Sequence, residues 1–257
     1  MTRPPVLTHP LLDAVPGVQH AFFSRAGGVS EGIHAGLNVG RGSRDDPAAV
    51  EENRRRAASV FGRPAGDLLT CHQIHSATAH VATVPFGPAR PEGDAVVTRT
   101  PGLICGALSA DCAPILLADS EVGVVGAAHA GWKGALTGVA EATIAAMEAE
   151  GADRRRIVAV VGPCIGPASY EVGLEFLERF SADDPGSDIH FADGARADKR
   201  LFDLPGYVLA RLRRSGVADA AWIGVDTCAD EGFFSNRRAF QRGEPDYGRL
   251  LSAIMLV

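Results

Sequence analysis

Long hydrophobic runs and positive charge are both scarce in this sequence, and their scarcity excludes two classes of protein. No apolar run approaches the roughly 18 residues that a membrane-spanning helix needs. The N-terminal segment, MTRPPVLTHPLLD, contains three prolines and lacks the apolar core of a signal peptide. The 25 lysines and arginines are outnumbered by 31 acidic residues, for a formal charge of −6, whereas nucleic-acid and anionic-membrane binders usually have excess positive charge. We therefore expect a cytoplasmic protein with no nucleic-acid partner and no membrane partner.

Cysteine is infrequent and scattered. The five cysteines are an odd number without the dense spacing of a disulfide framework: Cys71, Cys105, Cys112, Cys164 and Cys228. We expect reduced thiols, mostly buried as small apolar side chains. A chemically active cysteine must therefore be identified by its neighbours.

Internal repeats and low-complexity stretches are absent too. The 257 residues suit one large domain or two small ones, and 46% hydrophobic with 22% charged residues is an ordinary globular composition. The segment 181–200 is rich in Asp, Gly and Ser, but no composition shift accompanies it. We predict a single domain over residues 1–257.

Turn-forming residues are abundant, with 30 glycines and 16 prolines, which predicts short elements joined by tight turns. Short β-rich runs occupy 20–24, 103–110, 114–119, 122–130 and 157–162. Periodicity and capping residues predict helices over 46–62, 137–151, 174–180 and 203–216. This mixture predicts an α/β or α+β fold, a layered α/β sandwich with a mixed sheet.

The first predicted helix has polar side chains on its apolar face. Val50, Ala57 and Phe61 follow one face at helical spacing, and Asn53 and Arg54 fall on the same face. A buried guanidinium needs an anionic partner or ligand, because burying it unpaired costs several kcal/mol. The alternative is a rotated helix that leaves Arg54 in solvent, and the sequence does not choose between the two.

Histidines and cysteines concentrate in three segments, 71–77, 109–119 and 127–134. On a strand, His72 and His75 would face opposite sides, and His75 lies nearer the strand end, where ligand groups usually project. If the runs that follow Cys112 form a hairpin, residue 113 lies beside residue 129, and Cys112 comes close to His129.

One cysteine and two histidines at strand ends are typical of a zinc site with an open fourth position. Two other interpretations remain. In the first, no metal is bound, and His129 lowers the pKa of Cys112, which acts as a nucleophile. In the second, Cys112 is a buried structural cysteine and the histidines are unrelated to it.

Ten segments, in order along the chain, match motifs of a known family. They are SRAGGVSEG (24–32), GLNVG (36–40), ENR (52–54), HQIH (72–75), GDAVVT (93–98), ADCAPILL (110–117), AHAGWKG (128–134), GPCIGPASYEVG (162–173), FFSNRR (233–238) and GRLLSAIML (248–256). The sequence resembles the YfiH-like or laccase-domain proteins, a family described both as multicopper polyphenol oxidoreductases and as zinc-containing purine nucleoside phosphorylases.

The resemblance implies a metal centre and a set of substrate contacts. The family's metal ligands correspond to His75, Cys112 and His129, which are then also the catalytic residues. Positions that look like polar substrate-binding groups correspond to Asn38, Arg54, Lys133 and Arg237. Lys133 stands where the family usually has Arg, so the bidentate fork of a guanidinium is lost. The family's common Cys-Thr pair appears here as Asp226-Thr227-Cys228.

The activity implied by the resemblance is phosphorolysis of adenosine, inosine and methylthioadenosine, with zinc as cofactor and purine nucleosides and phosphate as partners. Deamination of adenosine is the implied side activity, since zinc can activate a water molecule that attacks the purine ring. A copper-dependent polyphenol oxidase is the second hypothesis, but a multicopper oxidase needs roughly ten histidine ligands. The chain has eight histidines, most of them isolated. The third hypothesis is a metal-free Cys–His hydrolase or an interaction module.

Other conspicuous residues have two interpretations each. His72 is expected to be a hydrogen-bonded core histidine rather than a partner of a metal ligand. Trp132 either stacks on a purine or packs on the core. GPCIG (162–166) forms either an anion-binding nest or a simple turn, and FFSNRR forms either a ribose or phosphate wall or a solvated basic turn.

Overall fold

The computed structural model describes residues 3–257, and three β-sheets and seven α-helices lie within this range. The strands are β1 (Val6–Leu7), β2 (Val18–Phe23), β3 (Leu68–Leu69), β4 (Ala79–Val81), β5 (Ala95–Thr98), β6 (Ile104–Ser109), β7 (Ala113–Asp119), β8 (Val124–Ala130), β9 (Val158–Val161), β10 (Glu171–Gly173), β11 (Phe191–Asp193), β12 (Lys199–Phe202), β13 (Asp219–Trp222) and β14 (Leu250–Leu256). The helices are α1 (Pro10–Asp13), α2 (Pro47–Ser59), α3 (Trp132–Thr137), α4 (Val139–Ala149), α5 (Leu174–Asp183), α6 (Leu204–Arg214) and α7 (Asn236–Gln241).

Two large sheets organise the fold. The five-stranded sheet has the order β1-β2-β14-β6-β3, with β14 antiparallel to both of its neighbours. The six-stranded sheet has the order β13-β9-β7-β8-β5-β4; its centre is antiparallel, whereas β13 and β4 pair in parallel at its two edges. A small antiparallel sheet, β10-β12-β11, is separate from both. The predicted mixed sheet is confirmed.

The two large sheets pack face to face and share one buried apolar layer. Phe22 and Ile254 of the five-stranded sheet contribute to the same core as Leu116 and Val160 of the six-stranded sheet. The outer face of the five-stranded sheet is covered by α2, and that of the six-stranded sheet by α4 and α6. Central strands that are buried on both faces need a continuous apolar sequence, and this accounts for the apolar runs at 103–110 and 122–130. The predicted layered α+β sandwich is confirmed.

The helix predictions agree with the structure in type and differ in detail. Helix α2 begins where its cap predicts, with the Asp46 side chain accepting from the Ala48 N–H and Pro47 in the first turn. The predicted helix 137–151 corresponds to α4, which begins after Gly138; the φ of +98° at this glycine separates α4 from the preceding helix α3, which was not predicted. Segment 181–200 is not a linker, since it contains β11 and contributes to the small sheet. No helix within residues 3–257 has the length and apolar character to span a membrane.

The predicted hairpin is present with a register one residue from the expected one. Strands β7 and β8 are antiparallel, with Ala113 opposite Ala130 and Pro114 opposite His129. Strand β6 ends at Ser109, and Pro114 is the second residue of β7. The hairpin therefore brings Cys112 to the end of β8.

The polar side chains on the apolar face of α2 are buried, as their spacing indicates. Asn53 is wholly buried, and its amide donates to the Ser30 hydroxyl and the Asn38 carbonyl, at 2.8 Å each. The Asn53 carbonyl oxygen accepts from the Val29 N–H at 2.8 Å. One side chain thus ties the loop between β2 and α2 to the helix.

Replacing Asn53 with Ala removes these bonds and leaves buried polar groups unpaired. We expect Asn53→Ala to lower the free energy of unfolding by about 2–4 kcal/mol, measured by urea denaturation. Ser59→Ala is the matched control on the same helix, because Ser59 is exposed and bonds only the Arg56 carbonyl. A loss for Asn53→Ala no larger than that of the control would contradict this role.

Candidate metal centre and its two clefts

Three predicted ligands, His75, Cys112 and His129, meet at the rim between the two large sheets. One ligand atom from each lies within 4.8 Å of the others. The His75 Nε2 atom is 3.9 Å from the Cys112 sulfur, and the two imidazole rings lie edge to face with centroids 4.9 Å apart. His129 is buried, Cys112 is half-buried and His75 is exposed, so the group is open to solvent on one side.

Each ligand comes from a different part of the fold. His129 is the penultimate residue of β8, and Cys112 directly precedes β7, at the point where the chain crosses between the two large sheets. His75 lies in the irregular segment after β3, with a left-handed φ of +58°. The expectation that His75 lies on a strand is therefore wrong. A non-glycine residue in this conformation is held there by its surroundings.

The Asp94 carboxylate holds the His75 segment and the His129 ring together. Its oxygens accept from the N–H groups of Ile74, His75 and Ser76 and from the Ser76 hydroxyl, at 2.6–3.3 Å. The same carboxylate lies 2.9 Å from His129 Nδ1. Because a carboxylate only accepts, Nδ1 bears the proton and the lone pair of Nε2 is left for a metal. Burial alone would raise the pKa of Asp94, but the bonds from His129 and Ser76 lower it to about 2.

Gly131 makes room for the three ligands. A Cβ atom at this position would lie 2.8 Å from His75 Cδ2 and 3.0 Å from the Cys112 sulfur. These separations are too short for real contacts, so any larger residue would displace a ligand. The glycine thus belongs to the architecture of the site.

The electrostatics of the site favour a thiolate. Burial opposes ionisation of Cys112, but the charge of His129 and the hydrogen bonds from His129 and His75 outweigh it and lower the pKa of the thiol. For His129, burial is likewise outweighed by Cys112 and Asp94, so its pKa is raised. A soft thiolate with two imidazoles, one of them oriented by a carboxylate, is a donor set that fits zinc. The residues present therefore fit a metal ion.

Asp111 shapes the turn that presents Cys112. It has a φ of +85°, and with His75 it makes up the non-glycine residues of positive φ among residues 3–257. Its buried carboxylate accepts from the Thr227 and Ser235 hydroxyls and from the Arg237 N–H, at 2.6–2.9 Å. The Thr227 of the unusual Asp-Thr-Cys segment thus supports the turn beside the cluster.

Two clefts adjoin the cluster, and His75 and Cys112 line both. The arginine cleft, of about 230 Å³, also includes Arg41, Arg90 and Arg249. The aromatic cleft, of about 200 Å³, includes Trp132, Tyr170 and Arg237. Each is smaller than the 300–1,000 Å³ typical of small-molecule sites, so a ligand of that size would extend beyond either cleft alone.

Asn38 lies next to the arginine cleft without lining it. It is wholly buried, and its carbonyl oxygen accepts from the N–H groups of Gly40 and Arg249. Its amide donates to the Ser43 hydroxyl and the Asp45 carboxylate. These bonds fix the turn that leads to Arg41 and the backbone of Arg249.

Arg54 is buried and is not part of the cluster. Only 1% of its surface is exposed, and its guanidinium donates to the carbonyls of Val39 and Leu68 and to the Thr70 hydroxyl, at 3.2–3.4 Å. Its Nε atom has no hydrogen-bond partner among the described residues. Of the two alternatives that the sequence left open for Arg54, burial is the one observed, and every hydrogen-bond partner of its guanidinium is neutral.

The remaining two predicted substrate residues differ in surroundings. Lys133 is exposed at the second position of α3. Arg237 lines the aromatic cleft, with its guanidinium 5.3 Å from the centre of the Tyr170 ring and bonded to the Glu171 carbonyl. Trp132 packs against Phe176 and lines the same cleft, so core packing is observed and stacking on a purine stays a prediction.

Three further expectations are corrected. His72 is exposed rather than buried in the core. The GPCIG segment is not an anion nest, because its Gly162, Cys164 and Ile165 N–H groups are bonded to carbonyl oxygens. In FFSNRR, the Arg238 guanidinium donates to backbone carbonyls, so it is neither solvated nor free to bind a ligand.

Asp94 and Asp111 were not singled out from the sequence. Each occupies a quoted motif, GDAVVT and ADCAPILL, and each is an acidic residue beside an apolar strand. An acid at the end of a buried strand is the signal that points to such a residue, because a buried carboxylate must be hydrogen-bonded.

Known proteins match this chain along most of its length. Residues 19–257 match the family model described as "Multi-copper polyphenol oxidoreductase laccase". A relative from Deinococcus radiodurans named "Purine nucleoside phosphorylase" is 43% identical over 241 residues, covering 93% of this chain and 90% of the relative. The "Purine nucleoside phosphorylase YfiH" of Shigella flexneri is 36% identical over 246 residues, covering 94% of this chain and 95% of its own.

Solved structures agree with this assignment. A Neisseria meningitidis protein superposes with a TM-score of 0.87 at 32% identity and covers 99% of both chains. Geobacillus stearothermophilus YlmD superposes with a TM-score of 0.84 at 28% identity, covering 96% of this chain and 94% of its own. The resemblance to YfiH-like proteins is confirmed, and this chain belongs to the multi-copper polyphenol oxidoreductase laccase family.

Proposed function

We propose that this protein is a zinc-dependent purine nucleoside phosphorylase acting on adenosine, inosine and methylthioadenosine, with adenosine deamination as a side activity. The observation that supports it is the His75–Cys112–His129 cluster, placed between an arginine cleft and an aromatic cleft. Relatives 36–43% identical to this chain are named purine nucleoside phosphorylases. The proposed site of action is the cytoplasm.

The proposal assigns zinc to His75 Nε2, the Cys112 sulfur and His129 Nε2. When bound, zinc would act as a Lewis acid towards the substrate and, in deamination, would lower the pKa of a water molecule. Asp94 keeps the proton on His129 Nδ1 and holds His75 in its left-handed conformation. The chain thus presents a preformed set of three ligands with a solvent-exposed fourth side.

The aromatic cleft is the proposed site of the purine base. Trp132 and Tyr170 offer apolar surface to a flat ring, and Arg237 offers a hydrogen-bond donor and positive charge beside it. In phosphorolysis a phosphate oxygen bonds to C1′ of the sugar while the bond from C1′ to the base breaks. Positively charged side chains stabilise the phosphate in this step, and the protein positions the phosphate against C1′.

Multicopper oxidation fits the residues less well. Such enzymes hold several copper ions with many histidines, whereas His75, Cys112 and His129 are the one group of three or more such side chains found within residues 3–257. The proposed resident metal is therefore a single zinc ion.

The direct test is phosphate-dependent release of free base from adenosine, inosine and methylthioadenosine, using protein of measured zinc content. Base release that requires phosphate and yields pentose 1-phosphate is expected, with ammonia from adenosine as a minor product. Cys112→Ala is expected to abolish both reactions, whereas Cys228→Ala retains them. Phenol oxidation without base release would contradict the proposal.

A second prediction concerns the ionisation of Cys112. Its lowered pKa means that it is already thiolate near neutral pH in metal-free protein, where a thiol of pKa about 8.5 is only a few per cent ionised. We expect iodoacetamide to modify Cys112 faster than Cys228 at pH 7, since burial raises the pKa of Cys228. Peptide mass spectrometry measures both rates, and stoichiometric zinc is expected to protect Cys112. Equal rates, or no protection, would argue against a metal-binding thiolate.

A third prediction concerns Asp94. Asp94→Asn directs an amide N–H at groups that are themselves donors, so we expect zinc affinity to fall about 10- to 100-fold. Competition with a chromogenic chelator measures the affinity, and circular dichroism checks folding. Glu92→Gln is the control, because Glu92 is exposed in the same segment. Unchanged zinc affinity in folded Asp94→Asn would remove Asp94 from the metal centre.

A further inference from the structure

The arginine cleft continues into a larger cavity. Arg41 and Arg90 line both the cleft beside the metal cluster and a neighbouring cavity of about 520 Å³. The lining of this cavity includes Leu68 and Thr70, two of the three residues whose oxygens accept from the buried Arg54 guanidinium. Arg41 and Arg90 thus line both spaces, and Arg54 lies behind the wall of the larger one.

The positive charge of these arginines is only partly balanced. Arg41 forms a bidentate pair with Glu51. Neither Arg90 nor Arg54 has a carboxylate partner among residues 3–257, and the hydrogen-bond acceptor of Arg90 is the Cys71 carbonyl at 3.5 Å. Arg249, on the other wall of the cleft, is paired with Asp246. The region therefore has a surplus of positive charge next to the cleft and the cavity.

The three arginines repel one another. The pKa of Arg54 is lowered to about 10 by burial and by the charges of Arg41 and Arg90. The pKa of Arg90 is lowered by burial and by the charge of Arg41. An anion between these side chains would relieve the repulsion, and guanidinium groups bind tetrahedral oxyanions with paired hydrogen bonds.

The aromatic cleft lacks this surplus. Its one arginine, Arg237, is already bonded to the Glu171 carbonyl and stacked on Tyr170. The buried Asp111 carboxylate is in the lining of the same cleft. The charge difference distinguishes the two sides of the metal cluster.

We propose that the arginine cleft binds inorganic phosphate through Arg90 and Arg41, and that phosphate and nucleoside reach the metal cluster from opposite sides. This inference rests on the proposed function and assigns its second substrate. A phosphate oxygen bonds to C1′ as the bond from C1′ to the base nitrogen breaks, and the electron pair leaves with the base, which takes up a proton. Arg54 adds positive charge from behind the wall of the adjoining larger cavity without touching the phosphate.

The test compares Arg90→Ala and Arg90→Lys in the zinc-loaded enzyme. We expect Arg90→Ala to raise the KM for phosphate about 10- to 100-fold, the usual loss for a charged hydrogen bond. The KM for inosine and the rate of adenosine deamination should change less than about two-fold, because the proposal places neither inosine nor adenosine in contact with Arg90. Arg90→Lys keeps the positive charge but lacks the paired N–H donors of a guanidinium, so an intermediate KM for phosphate is expected. Arg155→Ala is the control, since Arg155 is exposed and paired with Asp153.

Arg237→Lys decides between the two clefts. A raised KM for phosphate in Arg237→Lys with a normal one in Arg90→Ala would place phosphate in the aromatic cleft and overturn the inference. Titration calorimetry with inorganic phosphate, on folded wild-type and Arg90→Ala protein, measures phosphate binding without catalysis. It therefore distinguishes failure of this inference from failure of the phosphorylase proposal. If the wild type lacks phosphorolysis but binds phosphate through Arg90, the phosphate site is supported and the phosphorylase proposal fails. Equal binding by both proteins would refute it.

Discussion

The buried Asp94 carboxylate is the interaction on which the site depends. It binds three consecutive N–H groups of the segment that contains His75, and it also binds His129 Nδ1 at the end of β8. One side chain therefore sets the position of one ligand and the tautomer of another. Its lowered pKa shows that these donors more than offset the cost of burying the charge. Asp94 directly precedes β5, so the six-stranded sheet fixes the position of the proposed metal site.

Much of the fold follows from local patterns. The cap at Asp46 predicted where α2 begins, and the structure confirms it. Of the two alternatives that the sequence left open for the polar side chains on its apolar face, burial of Asn53 and Arg54 is the one observed. Hairpin β7–β8 was a hypothesis drawn from the apolar runs that follow Cys112, and the structure contains it. The position of β14 between β2 and β6 was not predictable, because it depends on pairing with strands far away in sequence.

The residues that make up the site were predictable from the sequence, but their geometry was less so. His75, Cys112 and His129 converge as the hairpin and the family resemblance indicated. The left-handed φ of His75 arises from Asp94, which is 19 residues away, and no periodicity in the segment reveals it. The arginine cleft was missed for a similar reason. Arg41 and Arg90 come from distant loops whose apposition is set by sheet packing, and neither has a motif of its own.

The central claim is that Cys112, His75 and His129 hold one zinc ion. X-ray absorption at the zinc and copper edges, on protein purified without added metal, tests it most directly. The account predicts a zinc edge with one sulfur neighbour at about 2.3 Å and nitrogen neighbours at about 2.0–2.1 Å, and loss of the sulfur shell in Cys112→Ala. A copper edge alone, or a sulfur shell that persists in Cys112→Ala, would contradict the account.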